Sequence, residues 1–232
     1  MGQKEKISII IPAYKASLYI KECLDSIKGQ TYFSDNGNYE ILLGIDGCAE
    51  TLETVEKIRG QYNNLKVFMM ESNKGVYITL NTLLSLVSVD NVIIFNADDV
   101  MKPFMVEEIA RYIKEYDIVR FYCERFNDKS DEVTGIILPH GSLYFKKTVC
   151  EKLGGFKAWL CAADTDFVNR AVSIFTEKRI LEILFRYRVH DESLTQKPGT
   201  GIHSDLRNQY IKQISSNFEY VVPVVNTWYE VK

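Results

Sequence analysis

The chain has 232 residues, of which 46% are hydrophobic and 25% charged, and a formal net charge of −3. That balance describes an ordinary globular protein of one large domain and gives no electrostatic reason to expect nucleic acid, although Lys146 and Lys147 could touch a phosphate or an anionic lipid surface. Five scattered cysteines with no C-x-x-C pair argue against a disulfide framework or a structural zinc site and fit a reducing, cytoplasmic compartment.

At the amino end, Lys4 and Lys6 precede an apolar run as in a leader peptide, but the run ends at Pro12 and Lys15 follows. Met1-Gly2 invites an acylation reading, yet the sixth residue is Lys6 where Ser or Thr is wanted. No segment approaches the roughly 18 to 20 apolar residues of a membrane span. Membrane association is therefore expected only as a peripheral contact at the inner face, or through a partner.

Short β-branched runs then alternate with helical spacing. "KISIII" reads as a buried strand. After "PAYKAS", the positions Ile20, Cys23, Leu24 and Ile27 share one helical face with Ser17 as the expected N-cap. "YEILLGI" is a second strand, and Leu52, Val55 and Ile58 mark a helix. "LKVFMM" is a third strand, Val76, Leu80, Leu83, Leu84 and Val87 mark another helix, and "NVIIF" is a fourth strand. Continuous apolar strands separated by amphipathic helices predict a doubly wound α/β half with a mostly parallel sheet.

The pattern then changes. A helix is expected over "PFMVEEIARYIKEY" with Pro103 in its first turn. "DIVRFY", "VTGIIL" and "GSLYF" follow as three strand-like runs of a mixed or antiparallel half. Helices at "KTVCEKL" and after "AADTDF", a strand "RILEILFRYRV" and a helix from about Asp205 complete the chain. The Pro and Gly content of "TQKPGTGIHS" predicts a mobile loop, a candidate lid.

The most informative stretch is "NVIIFNADDVMKPF". It places Asp98 and Asp99 side by side at the exit of an apolar strand, where repulsion and burial make ionisation costly. A cation would relieve that cost. Ligands of open α/β sheets bind outside the carboxyl ends of the strands. By that rule "PAY", Asp46-Gly47, "SNKG" and "NADD" should converge, and ordinary turn residues at four successive exits do not explain the acids.

These segments, with "HGSLYFKKTVCEKLGGF", "AADTDFVNRA" and "FRYRVHDESLT", resemble in order and spacing the inverting family 2 glycosyltransferases of GT-A fold, over roughly residues 7 to 195. The resemblance implies one domain, with a nucleotide-sugar-binding half to about residue 102 and an acceptor-binding, catalytic half from about 103. It further implies transfer of a sugar from a nucleotide diphosphate, expected to be a UDP-sugar, to a hydroxyl of a glycan, lipid-linked or protein acceptor, as in surface polysaccharide synthesis. Pro12, Ala13 and Tyr14 match positions against base and ribose, Asp46 the acid on the base, and Asn73, Lys74 and Gly75 the pocket lining. Asn96, Ala97, Asp98 and Asp99 match the family's D-x-D-D. Asn96 departs from it, but an amide can still bond a ribose hydroxyl. Asp98 and Asp99 would serve manganese or magnesium, which needs only one or two protein carboxylates.

A sugar hydroxyl must lose its proton as it attacks. The matching base is Asp164, with Ala163 where the family has Glu; the same position also suits a helix N-cap, and Asp166 reads as support for the helix terminus. His190 matches a metal or diphosphate ligand, His140 the acceptor side, and Trp159 either an acceptor-stacking ring or core. Two other functions stay open: a binding-only relative, on Asn96 and Ala163, and a nucleotidyltransferase, for which no Gly-rich triphosphate signature follows the first strand.

Overall fold

The computed structural model describes residues 4–33, 38–214 and 219–232; Met1 and Gly2, the residues of the acylation reading, lie outside them. The first half runs β1 (Ile7–Ala13), α1 (Ile20–Lys28), β2 (Tyr39–Ile45), α2 (Ala49–Ile58), β3 (Leu65–Met70), α3 (Val76–Leu86) and β4 (Asn91–Ile94). The second comprises β5 (Val100–Met101), α4 (Met105–Ala110), β6 (Ile118–Asn127), β7 (Val133–Ile137), β8 (Leu143–Lys146), α5 (Lys147–Leu153), α6 (Ala163–Val172), β9 (Glu177–Val189), α7 (Asp205–Gln213) and β10 (Trp228–Val231).

One sheet joins both halves in the order β10-β3-β2-β1-β4-β8-β6-β9-β5, with β7 beside β6. β3, β2, β1 and β4 are parallel. β8 runs antiparallel between β4 and β6, and β9 lies parallel to β6. All seven residues of β1 are buried because helices cover both faces, which is why the strand reads as an unbroken apolar run. Its residues alternate between two cores: Ile7, Ile9 and Ile11 pack with α1, while Ile10 packs with α3 and α6.

Three local expectations differ. The helix expected over 103–116 is regular only from Met105 to Ala110. Beyond it the chain tightens into turns, with Tyr112 N–H reaching Ile109 O, since aromatic and β-branched residues hold a helix weakly. Ser17 does not cap α1, whose N-cap is Tyr19; its hydroxyl donates to Glu50 at 2.6 Å. β10 was not foreseen. The segment from 219 crosses back over α5 and α3, with Val221 N–H on Leu153 O and Asn226 N–H on Thr82 Oγ1, before pairing antiparallel with β3. Among the described residues no helix is long and apolar enough to cross a membrane.

α6 is set by a buried charge network. Asp166 takes Arg170 Nε at 2.8 Å and Lys157 Nζ at 3.1 Å. Arg170, 2% exposed, donates its remaining nitrogens to Leu153 O and Gly155 O. Asp166 lies in the first turn of α6 and ties it to Arg170 one turn on and to Lys157. Asp166→Ala strands a buried guanidinium, so urea denaturation is expected to show a loss of about 3 to 5 kcal/mol.

Candidate active site

A cavity of about 570 Å³ opens at the carboxyl ends of the parallel strands, where the topology places ligands. Pro12, Ala13 and Tyr14 reach it from β1, Asp46 from β2, Asn73 and Gly75 from beyond β3, and Asn96, Ala97 and Asp98 from beyond β4. His190, just past β9, lines it beside Asp98, and His140 and Asp164 line it as well. Lys74, Asp99 and Trp159 are the expected site residues that do not line it.

Asp46 is 2% exposed and accepts the backbone N–H groups of Lys74 at 3.0 Å and Gly75 at 2.9 Å, one on each oxygen. Burial pushes its carboxyl above the usual range against the pull of those two bonds. Lys74 thus contributes its backbone rather than a cavity-facing side chain. The close approach needs Gly47, at φ 66°, because a Cβ there would stand 2.4 Å from Asn73 N.

The two acids after β4 separate by environment. Asp99, 1% exposed, accepts Arg188 N–H at 3.0 Å on one oxygen and Asn96 Nδ2 at 3.0 Å on the other. Burial, then the charge of Asp98, pushes its carboxyl well above the usual range. Asp98 faces the cavity, and its Oδ2 lies 3.0 Å from His190 Nε2. Among the described residues no three His, Cys, Asp or Glu side chains form a complete metal site. Asp98 and His190 nevertheless supply converging oxygen and nitrogen donors on an open wall. That set fits manganese or magnesium, whose shell is otherwise completed by phosphate oxygens and water.

Arg188 anchors this corner. Its Nε donates to Asp98 O at 2.9 Å and its terminal nitrogens to Asp128, at 2.6 Å, and to Glu22, while the guanidinium lies against the rings of Tyr19 and Phe126. Tyr19 in turn packs its ring 4.7 Å from that of His190.

α6, which brings Asp164 and Thr165 to the cavity, begins at Ala163, and its N-cap is Ala162 in the left-handed region at φ 65°. Asp164 is therefore inside the first turn and does not cap. Its Oδ1 accepts the Tyr77 hydroxyl at 2.9 Å, and its Oδ2 faces Gly141, 3.4 Å from where a Cβ would stand. His140 Nδ1 lies 3.3 Å from Thr165 Oγ1; burial, then Arg120, pulls its imidazole below the usual range. Trp159 stacks on Tyr210 of α7 at 4.5 Å and 5°, and the neighbouring Leu160 reaches the cavity instead.

Tyr19, Tyr77, Lys15, Lys197 and Arg207 line the cavity without having been among the expected site residues, and Arg188, which braces it, was not among them either. No signal in a single sequence separates Arg188 from the other charged residues of β9, and the rest have none either. The 195–204 loop is built from turns closed by Gly201 N–H on Lys197 O and Ile202 N–H on Thr195 O, and Thr195, Lys197 and Thr200 face the cavity.

Residues 8–173 match the model for glycosyl transferase family 2. The chain is 29% identical over 146 residues to the glycosyltransferase GlyG of Streptococcus pneumoniae, covering 62% of this chain and 44% of that protein, so it spans less than half the length of that relative. Its fold is shared with Staphylococcus aureus TarS in complex with UDP-GlcNAc, at TM-score 0.68 and 20% identity over 81% of this chain and 60% of that one. It is shared also with the mannosyltransferase PcManGT of Pyrobaculum calidifontis in complex with GDP-Man and Mn2+, at TM-score 0.72 and 15% identity over 95% and 67% of the two chains. With its parallel sheet, its strand-end cavity and this match across most of its length, the chain belongs to glycosyl transferase family 2 and has the GT-A fold.

Proposed function

We propose that the chain transfers a sugar from a nucleotide diphosphate donor, a UDP-sugar first among them, to an acceptor hydroxyl with inversion at the anomeric carbon. The observation that carries this reading is that one strand-end cavity is lined both by the Asp98–His190 pair and by Asp164. In-line displacement needs the leaving group and the base on opposite sides of the reacting carbon. TarS, seen with UDP-GlcNAc, supports the choice of a uridine donor.

In this reading Pro12, Ala13 and Tyr14 flank the base and ribose. The Asp46 oxygens keep a lone pair each beyond their backbone bonds, enough to accept a uracil imide N–H. Asp98 and His190 hold a divalent cation, manganese or magnesium, which when bound offsets the charge of the diphosphate. Asp99 braces the Asp98 backbone through Arg188 rather than binding metal itself, and Asn96 supplies the amide that satisfies it. Lys15, Lys197 and Arg207 add positive charge to the walls. Asp164 takes the acceptor hydroxyl proton as the oxygen attacks. The 195–204 loop is the segment that excludes competing water.

The acceptor is a glycan, a lipid-linked sugar or a protein in surface polysaccharide or glycoconjugate synthesis. The single domain works in the cytoplasm or at the inner membrane face, in keeping with five free thiols.

Calorimetry with UDP is expected to show binding that weakens when a chelator replaces manganese, and Asp98→Ala is expected to abolish that difference; equal affinity with and without metal overturns the cation role. Asp164→Asn should leave UDP affinity and melting temperature close to wild type. It should lower hydrolysis or transfer of a UDP-sugar by 10² to 10⁴-fold, about 3 to 5 kcal/mol. Asn96→Asp removes the donor to Asp99 and adds a like charge, so a stability loss of about 1 to 3 kcal/mol is expected in denaturation. A gain in turnover by orders of magnitude would instead favour a binding-only protein.

A further inference from the structure

Tyr77 and Asp164 lie 87 positions apart, on helices from opposite halves of the sheet, yet the Tyr77 hydroxyl meets Asp164 Oδ1 at 2.9 Å. Tyr77 is 5% exposed. Its ring stacks on Phe156 at 5.9 Å, and Phe156 stacks on Phe167 of α6 at 4.4 Å. The hydroxyl is thus carried by a ring that the packing holds against the helix bearing Asp164. Burial, and then the charge of Asp164, pushes that hydroxyl well above the ordinary tyrosine range, so it stays protonated and donates.

The position of Tyr77 in the chain matters as much as its hydroxyl. It is the second residue of α3, one residue beyond the Lys74–Gly75 turn whose N–H groups are held by Asp46. A continuous path therefore runs from Asp46 through that turn and the first turn of α3 to the Asp164 carboxylate. With Oδ1 taken, Oδ2 is the oxygen that faces Gly141, where no side chain intervenes. A hydrogen bond to a carboxylate lowers its basicity, so the tie helps a base only by fixing its geometry.

We infer that Tyr77 is the positioning residue for the catalytic base: it holds one oxygen of Asp164, presents the other to the acceptor hydroxyl, and ties the base to the turn that flanks the donor. The inference rests on the reading of Asp164 as base. A buried hydroxyl needs a partner in any case, but a bond made only to satisfy Tyr77 would leave the chemistry untouched when the hydroxyl is removed.

Tyr77→Phe keeps the stacked ring and deletes only the donor. Hydrolysis of a panel of UDP-sugars with manganese, followed as UDP released, is expected to fall about tenfold or more in kcat. KM and the calorimetric affinity for UDP should stay within about twofold. In an Asp164→Asn background the same change should add nothing, and in a crystal structure of Tyr77→Phe the Asp164 carboxylate should rotate away or split between two orientations. Unchanged kcat with Asp164 unmoved overturns the inference, as does a fall in UDP affinity that matches the fall in kcat. If Asp164→Asn alone leaves turnover intact, the base reading has failed. If it abolishes turnover while Tyr77→Phe does not lower it, only the positioning role has failed.

Discussion

The architecture of the site depends on the burial of Asp99 against Arg188. A carboxylate 1% exposed at the end of a strand is tolerable only when its oxygens are bonded and a positive charge stands close. Arg188 bonds Asp99 with its backbone N–H and supplies the nearby positive charge, while its guanidinium bonds Asp98 O, Asp128 and Glu22. These bonds lock the turn after β4, the end of β9 and helix α1 into one corner. Asp98 and His190 hang from the two sides of that corner, so their 3.0 Å approach follows from the buried pair behind them.

A second buried network does the corresponding work for the other wall. Asp166, Arg170 and Lys157 join α6 to the end of α5 and the glycines after it. Gly154 and Gly155 both take positive φ there, and a Cβ on Gly154 would stand 1.7 Å from Val221 O. The returning C-terminal segment packs through that gap, and Asn81 of α3 bonds both Phe156 and Val224 O. α3 and α6 are thereby tied to the same segment after α5, and the Tyr77 hydroxyl meets Asp164 between them. Charges buried in fully bonded networks frame the cavity, whereas the lysines at its mouth stay in solvent, where they can exchange partners.

Much of this was legible in the chain itself. The four parallel strands and the helices between them announced themselves because each strand is covered on both faces and each helix on one, so burial wrote a period into the residues. The clustering of polar residues at four strand exits followed from topology alone, and the order of motifs resembled one family. β10 was hidden because an edge strand of Trp, Tyr, Glu and Val has no covered face to impose a pattern; Tyr229 is 51% exposed. The end of α4 was misjudged because Tyr112 and Ile113 keep helical spacing while packing from turns.

The set of elements, their order and the acids at the strand ends can be read from the chain alone, because local periodicity and turn chemistry act over a few residues. The division of labour within that set arises from long-range packing. Asp98 faces the cavity while its neighbour Asp99 is buried, and Asp164 meets a tyrosine while Asp166 meets an arginine. Trp159 stacks on Tyr210 instead of lining the cavity. Adjacent residues point to different sides of a turn or helix, and which side is solvent, core or cavity depends on partners up to about ninety positions away in the chain. That information exists only once the sheet has closed and the buried charges have found each other.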